Sequence, residues 1–249
     1  MPRSRPYLLG AVAAGALGFA VSCSDAPPAP ATGASALDPV SEASLERKAD
    51  GAQIPFANLK MILEFNSTDN DLGVQLFLDG EDWQRIAGFD PRGQEFVEVE
   101  TGGRLHQLGL TELFWESAEP SPAEVLALIP AGNYRYTGTT VAGESLTGTA
   151  HLSHSLPPAP SFTPTDGAVV DMNNFVITWQ SIGGLASFQL IVVDEASALE
   201  LVVDLRPSIT SFRVPPEFLR RSTEYKIEVL AVAQNGNKTI SEATVETQP

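Results

Sequence analysis

Thiols are almost absent from this chain: its single cysteine is Cys23. One cysteine excludes an intramolecular disulfide and a structural zinc site built on several thiolates. Basic residues are scarce as well. Fifteen Lys and Arg stand against 31 Asp and Glu, for a formal net charge of −16. Nucleic-acid binding needs clustered cations that displace counterions from phosphate, and fifteen scattered ones do not supply them, so a nucleic-acid partner is excluded. Charged residues of either sign make up only 18% of the chain, while 20 Gly and 19 Pro punctuate it. That balance favours short strands and many turns over a helical bundle. Hydrophobic residues, at 43% of 249, suffice for packed cores and leave room for two domains.

The N-terminus reads MPRSRPYLLGAVAAGALGFAVSC. Arg3 and Arg5 precede an apolar run from Tyr7 to Val21, the layout of a secretory signal and too short and rich in Ala and Gly for a transmembrane helix. Ala20-Val21-Ser22-Cys23 resembles a bacterial lipobox, with Ala20 where that motif usually has Leu. The resemblance implies removal of residues 1–22, lipidation of Cys23 and a stable lipid anchor at the membrane. The expectation is thus an exported, membrane-anchored protein of the cell envelope, in the outer membrane or periplasm if the source is Gram-negative.

Residues 24–36 are rich in Pro, Ala, Ser and Gly and carry no apolar pattern, so residues 23–57 read as a flexible tether, with a short helix capped by Asp38 and running to Lys48. From residue 58 the pattern changes to strands: 59–65, 73–79, 95–100 and 111–117, divided by turn signals at 67–73, Asp79-Gly80, Asp90-Pro91-Arg92-Gly93 and Thr101-Gly102-Gly103. Asp-Pro-x-Gly suits a hairpin turn. Ser121, Pro122 and Glu124 form a capping box that opens one short helix over 122–129, and a last hairpin follows around Gly143. Residues 58–156 therefore read as one antiparallel β domain with one short helix. The prolines of Leu156-Pro157-Pro158-Ala159-Pro160 mark a stiff boundary.

Residues 157–249 supply seven strand candidates in about 90 residues, the density of a small sandwich. The last two flank Gln234-Asn235-Gly236-Asn237, a hairpin signal because Asn-Gly tolerates positive φ. Trp179 alternates with Ile177 and Phe175, and Tyr225 opens the strand Tyr225-x-Ile227-x-Val229 just after a Pro-rich turn. Phe188-x-Leu190-x-Val192 lies between them. In this order these residues resemble the fibronectin type III family. The resemblance implies an immunoglobulin-like sandwich, with Trp179 in the core on strand B and Tyr225 at the corner before strand F. No Arg-Gly-Asp tripeptide stands in the QNGN turn, so integrin-type adhesion does not carry over. The fold expected is all-β, two antiparallel β domains in series.

A search for catalysis returns little. The signal reading consumes Cys23 as a nucleophile. Of the three histidines, His106, His151 and His154, the last two stand three apart in a strand context, which puts them on opposite faces. No Gly-x-Ser-x-Gly elbow, His-Glu-x-x-His, P-loop or Gly-x-Gly-x-x-Gly occurs. The chain is read as no enzyme, and no cofactor is required. One stretch invites calcium: Asn66-Ser67-Thr68-Asp69-Asn70-Asp71-Leu72-Gly73, with Asp69 and Asp71 as the candidate ligands, although the EF-hand pattern fails at its fifth and twelfth positions. Trp83 and Trp115, with Tyr134 and Tyr136, are candidates for stacking on a sugar or packing on a protein. The glycosylation-like triplets at Asn66 and Asn237 read as chance beside a bacterial-type signal.

The expected function is that of a non-catalytic envelope lipoprotein, binding or assembling with another envelope protein. The alternatives are a carbohydrate-binding accessory module recognising polysaccharide and, behind it, a hydrolase built on two carboxylates of perturbed pKa.

Overall fold

A computed structural model describes residues 53–249. The signal segment, Cys23, the helix read at 38–48 and the tether as far as residue 52 lie outside the described residues. The described chain is all-β. Its first half comprises β1 (Ile54–Pro55), β2 (Asn58–Asn66), β3 (Asp71–Phe89), β4 (Glu95–Glu100), β5 (Leu110–Glu116), β6 (Gly132–Thr140) and β7 (Ser145–Leu152), with short helices α1 (Leu105–Leu108) and α2 (Pro122–Leu128). In α2 the expected capping box forms, with Pro122 in the first turn.

The tether ends earlier than the sequence reading placed it. Ile54 and Pro55 pair in parallel with Leu146 and Thr147, and Phe56 is buried, its N–H donating to the Thr147 carbonyl at 3.1 Å. Burying an aromatic ring outweighs the pull of the polar segment before it.

The strand β3 organises this half. It runs for 19 residues, several times the usual length, and bends near Asp79–Asp82. Its first part pairs with β2 and β5; its second part pairs with β4 and β6. Asp79-Gly80, read as a turn between strands, instead lies within β3, where its pairing shifts. A Cβ on Gly80 would lie 2.9 Å from Phe56 Cδ1, so only glycine lets the strand pass over that ring. Such a bent strand is shared between packed layers, and its two parts close on one core: Met61, Leu63, Leu76, Leu78, Trp83, Ile86, Tyr134, Tyr136 and Leu146. Phe96 meets Tyr134 edge-on at 5.1 Å.

The second half comprises β8 (Phe162–Thr163), β9 (Ala168–Val170), β10 (Val176–Trp179), β11 (Leu185–Asp194), β12 (Leu199–Leu205), β13 (Ser211–Arg213), β14 (Glu224–Ala233) and β15 (Lys238–Thr247). The order β12-β11-β14-β15 faces the three strands β13-β10-β8. This is a fibronectin type III-like sandwich. Trp179 and Phe188 meet at 5.6 Å with their rings tilted in its core, among Ile177, Leu190, Ile227 and Val229. Tyr225 is fully buried, and its hydroxyl accepts the Arg220 N–H at 2.8 Å, which ties the strand to the corner before it.

The two halves are not strung on a free hinge. Strand β2 pairs in parallel with β15, Glu64 opposite Lys238 and Asn66 opposite Ile240, so a single sheet runs through both. Asn237 pins the seam. It is 1% exposed; its Oδ1 accepts the Leu63 N–H at 2.9 Å, and its Nδ2 donates to the carbonyls of Ser153 (2.7 Å) and Ser155 (2.9 Å). The Pro-rich linker is tied in by Thr239 Oγ1, which donates to the Pro157 carbonyl at 2.7 Å.

Candidate functional site

The turn between β2 and β3, where Asp69 and Asp71 were the candidate calcium ligands, is held by its own hydrogen bonds. Asn66 Oδ1 accepts the backbone N–H groups of Thr68 (2.9 Å) and Asp69 (3.3 Å), an Asx turn, with Asn70 at φ 59°. The Ser67 hydroxyl donates to the Ile240 carbonyl at 2.6 Å, and the Thr68 hydroxyl accepts the Glu242 N–H at 2.9 Å. These oxygens staple the turn to β15. Asp69 stays exposed, whereas Asp71 is partly buried and its charge acts on a different group.

That group is a set of carboxylates from separate strands. Oxygens of Glu64 on β2, Glu116 at the end of β5 and Glu119 just beyond it lie within 4.8 Å of one another. Asp71 and Glu242 border them. The compensating cations are few. Lys238 Nζ sits 2.8 Å from Glu64, and Lys226 is shared between Glu228 (3.0 Å) and Glu242 (2.8 Å). Gln75 Nε2 donates to Glu116 at 2.8 Å. The electrostatics follow. Partial burial, then the fields of Asp71, Glu116, Glu64 and Glu242, push the Glu119 carboxyl up from 4.5 to about 7. Burial, Asp69 and Glu242 raise Asp71 as well. Burial first lowers Lys226, but the carboxylates of Glu228 and Glu242 outweigh it and hold this ammonium above its usual range. The cluster therefore holds a proton near neutrality. No single segment of sequence announces it, since its members come from β2, β3, β5 and β15.

The Glu119 shift has a measurable consequence. Its folded-state pKa lies above the unfolded value of 4.5, so the folded chain binds the extra proton between pH 4.5 and 7. Stability then falls as pH rises through that window and the loss is complete above 7. For a group this open to solvent the contribution is about 1 kcal/mol after screening is allowed for. Glu119→Gln is expected to be more stable than the parent at pH 8 and equal to it at pH 4, by urea midpoint. A parent and variant that track each other across this range would show that Glu119 titrates as a free carboxyl.

The aromatic candidates need correction. Trp83 is fully buried at the bend of β3 and presents no ring face to a ligand. Tyr134 and Tyr136 are also fully buried. Trp115 is half-buried against the first core, and Phe114, its neighbour, points outward at 42% exposure. A platform of rings for stacking on sugar does not form on this face, because the alternation of β5 turns Trp115 inward. Trp179 and Tyr225 sit in the second core, at 5% and 0% exposure. His151 Nδ1 bonds Asn133 and His154 Nε2 bonds the Ile129 carbonyl, so the two histidines do not converge.

A cleft between the halves is lined by Lys60, Ile62, His151, Ala186, Val232 and Asn235, and none of the clustered carboxylates lines it. No described helix is long and apolar enough to cross a membrane.

No protein-family model matches the chain, and no curated protein does. Solved structures similar to it include the FN1–FN3 domains of chicken CNTN1, at 12% identity and a TM-score of 0.32, covering 79% of this chain and 65% of that one. A segment of two fibronectin type III domains from chicken tenascin has 12% identity and a TM-score of 0.29, covering 77% and 98%. A 1.5-MDa bacterial ice-binding adhesin has 13% identity and a TM-score of 0.25, covering 79% and 67%. This chain thus spans about two thirds of the CNTN1 fragment.

Proposed function

We propose that the chain is a non-catalytic binding or assembly module of the bacterial cell envelope, exported and held at the membrane by a lipid on Cys23. The observation that carries the binding reading is the continuous sheet. Two β halves locked through Asn237 and the β2–β15 pairing make a rigid scaffold that ends in free strand edges, the groups through which sheets recruit other chains. The carboxylates with raised pKa lie on strands and a loop beside an edge, outside the cleft, which favours recognition over acid–base chemistry on an enclosed substrate. The lipid anchor is supported by the residues before Cys23, which is the only cysteine of the chain.

Crosslinking and co-purification from native envelopes, with the intact chain and with Cys23→Ala, test both parts. The intact chain is expected in the membrane fraction with one envelope protein attached, and Cys23→Ala is expected to leave that fraction. Recovery of the intact chain alone would remove the protein-partner reading. Membrane retention of Cys23→Ala would remove the anchor.

A further inference from the structure

We propose that the free edge of β5 takes up an extended strand from a partner in which basic and apolar residues alternate. The inference rests on the binding-module reading and supplies the partner's chemistry.

Strand β5 pairs with β3 along one side and with no other described strand. Exposed edges of this length are usually blunted by charged side chains, lysine above all, by proline or by a covering element. The charges on β5 are acidic, and its segment LTELFWE has neither lysine nor proline. Its outward row is Glu112, Phe114 and Glu116, at the period of two that a pleated strand imposes. Across the ladder these stand opposite Asp79, Phe77 and Gln75. The exposed Phe114 thus stands opposite Phe77 in the ladder, between Glu112 and Glu116 in its own row, and Glu116 in turn lies close to Glu64 and Glu119. A strand laid beside β5 places one side chain opposite each member of that row. Opposite charges across a ladder stabilise pairing and like charges oppose it, so the positions facing Glu112 and Glu116 call for Lys or Arg and the one facing Phe114 for an apolar residue.

The outward row of β12, Glu200, Val202 and Asp204, alternates acid and apolar residues in the same way, so what separates the β5 edge is the carboxylates clustered beside it. On β4 the Glu98 carboxylate is paired with Arg85, and on β12 the Asp204 carboxylate is bonded by Gln189. Lys238 is spent on Glu64, and Lys60 on β2 stands opposite Phe77, one strand back from the edge. Burial and the neighbouring acids hold the Glu119 carboxyl above its usual range, and an incoming cation would relieve that crowding.

The test uses the full chain and a synthetic peptide alternating lysine and valine. Hydrogen exchange is expected to show new protection at 110–116. Glu112→Lys/Glu116→Lys is expected to weaken binding about tenfold or more, while Glu200→Lys/Asp204→Lys on β12 binds as the parent does. Should the first variant fold poorly, Glu112→Gln/Glu116→Gln carries the same comparison. A peptide of equal charge, N-methylated at alternate backbone nitrogens, is expected not to bind. Equal binding of the N-methylated peptide would show charge attraction without strand pairing and overturn the proposal, as would protection at β4 or β12 in place of β5. If β5 stays unprotected while the envelope partner is still recovered by crosslinking, the edge assignment falls and the module reading stands.

Discussion

Trp83→Ala is expected to lower the free energy of unfolding by about 3–5 kcal/mol, the cost of deleting a large buried aromatic. The ring has no exposed surface and sits where β3 passes from one set of partners to the other, opposite Leu110 on β5 and Thr140 on β6. Its loss would leave a cavity at the bend, where the surrounding strands are held by two ladders and cannot collapse into it. Trp83→Phe should cost far less, because it keeps most of the ring and removes an indole N–H that is buried without a partner. Urea unfolding of both variants, set beside their retention on immobilised polysaccharide, distinguishes the two roles considered for this residue. A large drop in midpoint for the alanine variant marks it as core. An unchanged midpoint with lost retention would return Trp83 to the surface as a ligand-stacking residue.

Trp83 marks where the sequence stops being legible. In an even strand, residues three apart face opposite ways, so Trp83 and Ile86 could not share a core. They do share it, because β3 carries a bulge: Trp83 and Arg85 face Thr140 and Thr139, two steps against one. The polar residues Glu81, Asp82 and Gln84 around the ring also give the look of a surface segment. By contrast, the strands of the second half were readable because turns separate β-rich runs, although the single candidate at 161–170 divides into β8 and β9. The Asp90 hairpin and the α2 capping box were readable because their chemistry is local. The seam and the carboxylate cluster were not. Glu64 and Lys238 are 174 residues apart, and nothing in the local pattern of β2 or β15 selects the other as its neighbour. The same limit hid Asn237, which the sequence offered only as a hairpin residue and a glycosylation-like triplet. At 1% exposure, with its amide nitrogen donating to two carbonyls, it is closed to modification in the folded chain.

Asn237→Ala is expected to destabilise the chain by about 2–3 kcal/mol and to separate the unfolding of its two halves. The substitution removes one acceptor and two donated bonds together. It leaves the Leu63 N–H and the Ser153 carbonyl without that partner, and groups orphaned in a buried seam cost more than the net worth of the bonds themselves. Asn237→Asp should be at least as damaging. It keeps an acceptor for Leu63 but turns a carboxylate oxygen toward the two carbonyls that the amide nitrogen serves. Asn235→Ala, on the exposed part of the same turn, breaks one cross-half bond to the Ser155 carbonyl and removes the Oδ1 that accepts the Asn237 N–H, and should cost about 1 kcal/mol. The tryptophans permit the separation to be seen. Trp83 and Trp115 report on the first half and Trp179 on the second, so variants retaining one set or the other follow each core by fluorescence. In the parent the two signals should coincide, as they do when a structure unfolds as one unit. In Asn237→Ala they should part, because the β2–β15 ladder that remains pairs only three residues on each strand. Coincident signals and an unchanged midpoint in Asn237→Ala would show that this ladder, with the Ser67 and Thr239 bonds, holds the seam without the asparagine. A partner on β5 depends on the same rigidity. Once the halves move independently, the carboxylates of β2 and β15 no longer share one face, and binding at that edge should weaken together with the coupling.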